Sequence, residues 1–348
     1  MSDGAPDQLL DVVAVGSSLV DVLVQVDDAR LAAVGLAKGS MELVDLARAE
    51  DLYAGAGPGV EVSGGSAANT AVGVACLGGS AGFVGKVADD PLGTLFAHDI
   101  RASGVQFDPP TPVASRPGAD LGTGRCLVFV SPDAERTMAT HLGVAVTLAP
   151  DDVPLELVSR ARLLYLEGYL WDLAPAKEAM RRAIGAAHRG EGAVALSLSD
   201  PFCVDRHRRE FLDLLLDEVD VLFGNEEEIV SLFGARSLDA ALEAAEETGL
   251  LVAVTRGAAG AVVVTERGPL SVPATPVDHV VDTTGAGDLF AAGFLYALAR
   301  GAEPEQAARL GALCAAEVVG HIGARPQADL RALALASGLL EGLISAEA

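Results

Sequence analysis

The sequence is short of positive charge, cysteine and aromatic rings, and each shortage removes a class of protein. Lysine and arginine number 24 against 49 aspartates and glutamates, a formal net charge of −25. Broad binding to nucleic acid or to an anionic membrane needs many phosphates neutralised by Lys and Arg, so neither is an expected partner and any bound phosphate must be held locally. Cys76, Cys126, Cys203 and Cys314 are scattered, with no Cys-x-x-Cys pair, which speaks against a zinc cluster or a disulfide framework and for reduced thiols in a core. The opening "MSDGAPDQLLDVVAVG" has no basic region followed by a long apolar stretch, and no apolar run approaches the ~20 residues of a membrane helix. The expected compartment is the cytoplasm. Two nucleotide motifs are missing as well: there is no Gly-x-x-x-x-Gly-Lys-Ser/Thr, and the first strand ends at a single Gly16 rather than Gly-x-Gly-x-x-Gly.

What is present is a large core. Half of the 348 residues are hydrophobic, enough for one domain with a smaller attached unit. Short β-branched runs, "DVVAVG" from Asp11, "GFVGKV" from Gly82, "RLLYLEG" from Arg162, "AVALSLS" from Ala193, "DVLFGN" from Asp220 and "LVAVTRG" from Leu251, suit strands buried on both faces. Helical segments separate them; "PAKEAMRRAIGAAHRGEG" has Pro175 in its first turn, Met180, Ile184 and Ala187 at helical spacing, and a basic, glycine-containing end. The alternation predicts a doubly wound α/β fold. Two stretches alternate apolar and polar side chains instead, residues 17–30 and 125–130, and the second follows the Pro/Gly/Asp-rich connection "FDPPTPVASRPGADLGTG". They predict a small β lid, built from about residues 17–48 and 106–141 of a single domain spanning 1–348.

Four motifs carry chemistry. In "VVDTTGAGDLF", a strand-like "HVVDTT" leads into a helix beginning near Ala286, and Gly285, Ala286 and Gly287 leave the first helical N–H groups open to an anion. Asp288 in that first turn either complements the helix dipole or takes a proton from a substrate hydroxyl; the motif alone supports both. In "SGGSAANTAVGVACLGG", Gly64 and Gly65 turn the chain into a helix with Ala71, Val74 and Cys76 inward and Asn69 early, either a tightly packed turn or a site for hydroxyl groups. In "FGNEEEIV", Glu226 and Glu227 read as solvated, dipole-complementing acids, whereas Asn225 and Glu228 share a helix face at a strand's carboxyl end and could hold hydrated Mg²⁺. "VTRGAAGAVV" is a strand, turn and strand in which Thr255, Gly257 and Gly260 are candidates for phosphate contact. Arg136, in the lid, is either solvated or poised to neutralise phosphate on closure.

Taken together, "DTTGAGDLFAAGFL", "GGSAANTAVGVACLGG", the Asn225-x-x-Glu228 pair and "GKVADDPLG" resemble, in order and spacing over essentially the whole chain, the signatures of the ribokinase-like (PfkB) carbohydrate and nucleoside kinases. "GLAKGSMELVD", "RTMATHLG" and "YLEGYLWD" are more similar to adenosine-kinase-type members than to ribokinase. The resemblance implies a three-layer α/β/α core with a mainly parallel sheet and a lid. It implies Mg²⁺ with ATP as phosphate donor, Asp288 as base, and Gly285, Ala286 and Gly287 as anion hole. It places Asp21, Gly64, Gly65 and Asn69 on the sugar hydroxyls, with Ser17 at the base end where many adenosine-kinase-like members have Asn. Asp282 and Thr284, with the loop "HIGARP", are candidates for a K⁺ site, while His321 reads as a helix-end histidine. The expected acceptor is a ribonucleoside, adenosine first, in a purine-salvage reaction. The alternatives are a sugar kinase acting on ribose, fructose or a related polyol, or a noncatalytic binder of the same fold. A monomer or homodimer is expected.

Overall fold

The computed structural model describes residues 9–110, 121–133 and 135–343. Most of the Pro/Gly/Asp-rich connection, residues 111–120, therefore lies outside the described residues, as do the first eight and last five. In chain order the first strands are β1 (Leu10–Val15), β2 (Leu19–Gln25), β3 (Met41–Leu43), β4 (Val60–Gly64), β5 (Ala81–Val84), β6 (Val105–Phe107), β7 (Gly124–Val130) and β8 (Arg136–His141). They are followed by β9 (Ala161–Glu167), β10 (Ala193–Ser197), β11 (Val221–Asn225), β12 (Leu251–Thr255), β13 (Ala261–Thr265) and β14 (Gly268–Val272).

The larger sheet runs β14-β13-β12-β11-β10-β9-β1-β5-β6. Neighbours from β6 through β12 are parallel, and β13 and β14 close one edge antiparallel. Because strand side chains alternate, each apolar run feeds two cores at once. Val12 and Ala14 of β1 join one cluster with helices Ser66–Cys76, Ala286–Ala299 and Pro304–Val318; Val13 and Val15 join another with helices Ala174–Arg189 and Pro201–Asp217. This is the expected three-layer α/β/α core. Both faces of its parallel strands are packed against helices, which leaves the strand ends as the place for a ligand.

The smaller sheet, β3-β8-β7-β2-β4, is entered from the carboxyl end of β1, with residues 16–18 leading into β2. Its membership differs from the two expected segments: β4 joins by pairing antiparallel with β2, whereas β6 belongs to the larger sheet beside β5. On β2 the alternation holds, with Val20, Val22 and Val24 buried in the main core and Asp21 and Leu23 on the other face. β7 does not stay half exposed as its pattern suggested. It lies between β8 and β2, and while Leu127 and Phe129 enter the main core, Cys126, Val128 and Val130 pack with Leu23 and Met138 on the opposite face.

The strand-like segment 279–284 is not a strand. Val280 and Val281 are exposed rather than core residues, and the Val281 and Asp282 N–H groups both donate to the Val319 carbonyl. A helix end, not a neighbouring strand, satisfies this backbone. The following helix does start at Ala286, and Leu289, Phe290, Phe294 and Leu295 bury fully beneath it; at ~1.5–3 kcal/mol for each large apolar side chain, that burial holds the helix start rigidly in place.

Candidate active site

The helix Ala286–Ala299 is entered through Gly285, whose φ of 81° lies in the left-handed region and whose missing Cβ would sit 2.6 Å from the Ala324 Cβ. The turn is thus closed from behind. One expected amide is already engaged, the Ala286 N–H donating to the Thr283 carbonyl at 3.2 Å. Gly287 differs: a Cβ there would meet nothing within 4 Å. The chain's own packing does not require that glycine, and its backbone faces open space at the positive end of the helix dipole.

Asp288, one residue on, is held across the molecule by the helix Ser66–Cys76. Ser66 Oγ donates to its Oδ1 at 2.7 Å and Asn69 Nδ2 to its Oδ2 at 2.8 Å. Burial raises the Asp288 pKa, opposed by these two bonds and by the charge of Arg325. The helix that supplies them starts at Gly65, at φ 96°, where a Cβ would strike the Ser17 carbonyl at 2.2 Å. A Cβ on Gly64 would fall 2.3 Å from an Asp21 carboxylate oxygen. The two glycines therefore let β4 and the helix close onto β2 and its carboxylate. Asp21 itself is pushed up to about 6 by burial, with Arg325 and Arg136 pulling the other way.

Asp288 stands where three cavities approach one another. A cavity of about 710 Å³ is lined by Asp21, Asn69, Arg136, Thr284 and Arg325, and beyond them by apolar side chains including Val24, Val128, Val130, Met138 and Ile322. The Asn69 Oδ1 beside it is buried without a hydrogen-bond partner, an acceptor that a ligand hydroxyl would satisfy. A second cavity, about 360 Å³, has Asp288, Ser66, Gly287, Asn225, Glu228 and Thr255 in its wall. A third, about 430 Å³, shares Gly287 and Thr255 with it and adds Gly257, Gly260 and an apolar lining of Pro276, Val277, Ala312 and Val319. Ser17 stands behind these linings, buried, its N–H directed at Glu167.

Asn225 and Glu228 form a reciprocal helix cap. Glu228 N–H donates to Asn225 Oδ1 at 2.9 Å, and Glu228 accepts from the Asn225 N–H at 3.0 Å and Nδ2 at 2.7 Å. Glu228 is pushed up to about 7, first by burial and further by Asp200 and Glu227, against which its bond from Asn225 works. Glu226 is paired with Arg256 rather than free in solvent. Arg136 is not solvated: its guanidinium pairs with Asp282 and donates to Thr284 Oγ1 at 3.1 Å. Asp282 also accepts from the Thr284 and Gly323 N–H groups. His321 lies against Glu317.

Two residues of this region were not found by pattern. Glu167 ends β9, accepts from the Ser17 and Ala67 N–H groups, and is pushed up to about 7 by burial, those bonds opposing. Its signal was present, an acid closing an apolar strand at the ligand-binding end of a sheet. Arg325 is fixed under the first cavity by bonds to Ser63 and Ala68; a single basic residue in a Gly/Pro loop carries no such signal.

Comparison with known proteins sets the class, a phosphotransferase with an alcohol acceptor. The chain is a member of the pfkB family of carbohydrate kinases, whose model matches residues 28–330. Among solved structures it is similar to an adenosine kinase from Sinorhizobium meliloti, 45% identical over 94% of this chain and 99% of that one, with a TM-score of 0.86. It is equally similar to a probable sugar kinase from Rhizobium etli CFN 42, 44% identical over 95% and 99%, with a TM-score of 0.87. The adenosine kinase of Saccharomyces cerevisiae is 30% identical over 75% of this chain and 79% of its own length, and a fructokinase of Klebsiella pneumoniae is 32% identical over 80% and 91%.

Proposed function

We propose that the protein transfers the γ-phosphoryl group of ATP to the primary, 5′-type hydroxyl of a ribonucleoside, with adenosine the foremost acceptor. The observation that carries this reading is the position of Asp288, bonded to Asn69 on the wall of the 710 Å³ cavity and itself in the wall of the 360 Å³ one. The ribosyl hydroxyls meet Asp21 and Asn69, whose unpartnered Oδ1 accepts from one of them. The apolar walls beyond, from Val24, Val128, Val130 and Met138, suit a flat base better than the hydroxyls of a second sugar face.

Asp288 orients the attacking hydroxyl and takes its proton late, which does not require a high pKa because phosphoryl transfer passes through a loose transition state dominated by positioning. The Gly287 amide and the helix dipole stabilise charge on the transferring group. The nucleotide occupies the cavity of Thr255, Gly257 and Gly260, and Arg136 meets phosphate after leaving Asp282. Asn225 and Glu228 fit a hydrated Mg²⁺: Glu228 is buried beside two further acids, and a dication reached through water relieves that repulsion without direct ligation. The metal would neutralise charge on the donor phosphates. A K⁺ does not fit Asp282 and Thr284 while Arg136 is seated on them, so no step is assigned to it.

A sugar kinase is the second reading, favoured by the likeness to the probable sugar kinase and the fructokinase. Release of ADP from Mg²⁺-ATP, measured with adenosine, other nucleosides and a panel of sugars, separates the two; turnover of free sugars alone refutes the first. Asp288→Asn should lower kcat by about 10²–10⁴-fold while acceptor binding, followed by calorimetry, persists. Unchanged turnover would end the assignment of Asp288 as base. Location in the cytoplasm and action as a monomer or homodimer complete the proposal.

A further inference from the structure

The loop 321–327 touches both halves of the reaction site. Ala324 backs Gly285, and the Gly323 N–H donates to Asp282 at 2.8 Å, so one side of the loop supports the phosphate-binding turn. Arg325 reaches the other way. Its Nε donates to the Ser63 carbonyl at 2.9 Å, its Nη1 to the Ala68 carbonyl at 3.0 Å and its Nη2 to Ser63 Oγ at 3.1 Å. Ser63 lies on β4 beside the glycine that clears space for Asp21, and Ala68 lies in the first turn of the helix that presents Ser66 and Asn69 to Asp288. A planar guanidinium with three of its five N–H groups fixed on two separate elements has one orientation, which a lysine cannot reproduce.

We propose that Arg325 is a positioning residue for phosphoryl transfer: it clips the hydroxyl-binding helix and β4 to the loop behind the phosphate-binding turn, and presents a fixed positive charge toward Asp21 and Asp288. This rests on Asp288 acting as base. The groups facing Asp288 are Ser66 and Asn69 from the helix, Asp21 from β2, Tyr165 and Glu167 from β9, Tyr169 just beyond it, and Arg325 from the loop; Arg325 is the cation among them. Asp21 is faced in addition by Arg136 from β8 and Cys126 from β7. Burial pushes the Arg325 guanidinium down to about 10, with Asp21 and Asp288 opposing that fall, so it remains charged at neutral pH. Its removal frees the two halves to shift, and a displacement of ~1 Å between hydroxyl and base costs about 10²-fold in rate.

The test is steady-state kinetics of Arg325→Gln and Arg325→Lys over about pH 5 to 9, with the best acceptor from the panel and thermal midpoints as a folding control. For Arg325→Gln, kcat should fall about 10²-fold with acceptor KM nearly unchanged, and the acid limb of kcat/KM should move to higher pH because Asp288 loses its counter-charge. Arg325→Lys should return the acid limb to its original pH but leave kcat depressed. A wild-type kcat with an unmoved limb in Arg325→Gln overturns the proposal, as does a loss confined to KM. If Arg325→Gln does not fold, Arg325→Lys decides: depressed kcat with an unmoved limb supports the clip, and wild-type kcat overturns it. Asp288→Asn run in parallel keeps the two ideas apart, since full turnover there refutes the base itself.

Discussion

Gly285 and Gly287 are two residues apart in one turn, yet alanine should act on them in opposite directions. At Gly287 the added methyl enters open space, and the residue lies in the first turn of a regular helix, where Ala is preferred to Gly by up to ~1 kcal/mol. Gly287→Ala should therefore be as stable as the parent or more so, a rise in Tm of about 1 °C given the large unfolding entropy of a chain this long. Activity should fall nonetheless, because the methyl stands where phosphate approaches the backbone; loss of one donor of this kind costs ~10²–10³-fold in kcat. At Gly285 the methyl would meet Ala324 at 2.6 Å, and the backbone is at φ 81°. A left-handed alanine costs about 1–2 kcal/mol, and overpacking adds about 1–3, so Gly285→Ala should lose several degrees of Tm as well as activity. The assay is ADP release paired with calorimetric melting of both variants. A fully active Gly287→Ala would refute the anion-hole reading of that amide, and a destabilised one would refute the open space on which the reasoning stands.

Two further outcomes follow from the charges at the site. Asn69→Ala removes a bond that lowers the Asp288 pKa; since the base works deprotonated, the acid limb of kcat against pH should move up, with a loss of about 10–100-fold near neutrality for one hydrogen bond to a charged group, and an unmoved limb would count against it. Glu167, pushed up from 4.5 to about 7, binds its proton more tightly in the folded chain, so its contribution to stability is lost as pH rises through that window. The stability of Glu167→Gln relative to the parent should accordingly improve from about pH 4.5 to 7 and then level off, as read from denaturant midpoints; parallel profiles would contradict the assignment.

The sequence by itself determined what depends on neighbours along the chain. Runs such as "DVVAVG" and "LVAVTRG" could be read as buried strands because period-two alternation and β-branching are local properties, and the helix start at Ala286 and the turn before Ser66 were marked by glycines whose conformational freedom is equally local. Asn225 and Glu228, three apart, were legible as partners for the same reason. Segment 279–284 shows the limit of such reading: Val280 and Val281 look like a strand, but their backbone is claimed by Val319.

Only the tertiary structure decided which charges meet. Asp288 and Asn69 are 219 residues apart, Arg136 and Asp282 146, Arg325 and Ser63 262, and Glu167 and Ser17 150. No local periodicity encodes those pairings, because they arise where the strand ends, the smaller sheet and the loop after Val318 converge. Burial at that convergence raises Asp21, Glu167 and Glu228, and burial is a property of the packed chain. Asp288 read alone was as much a dipole partner as a base; the hydroxyl, the amide and the arginine that the fold brings to it are what the proposed role as base rests on.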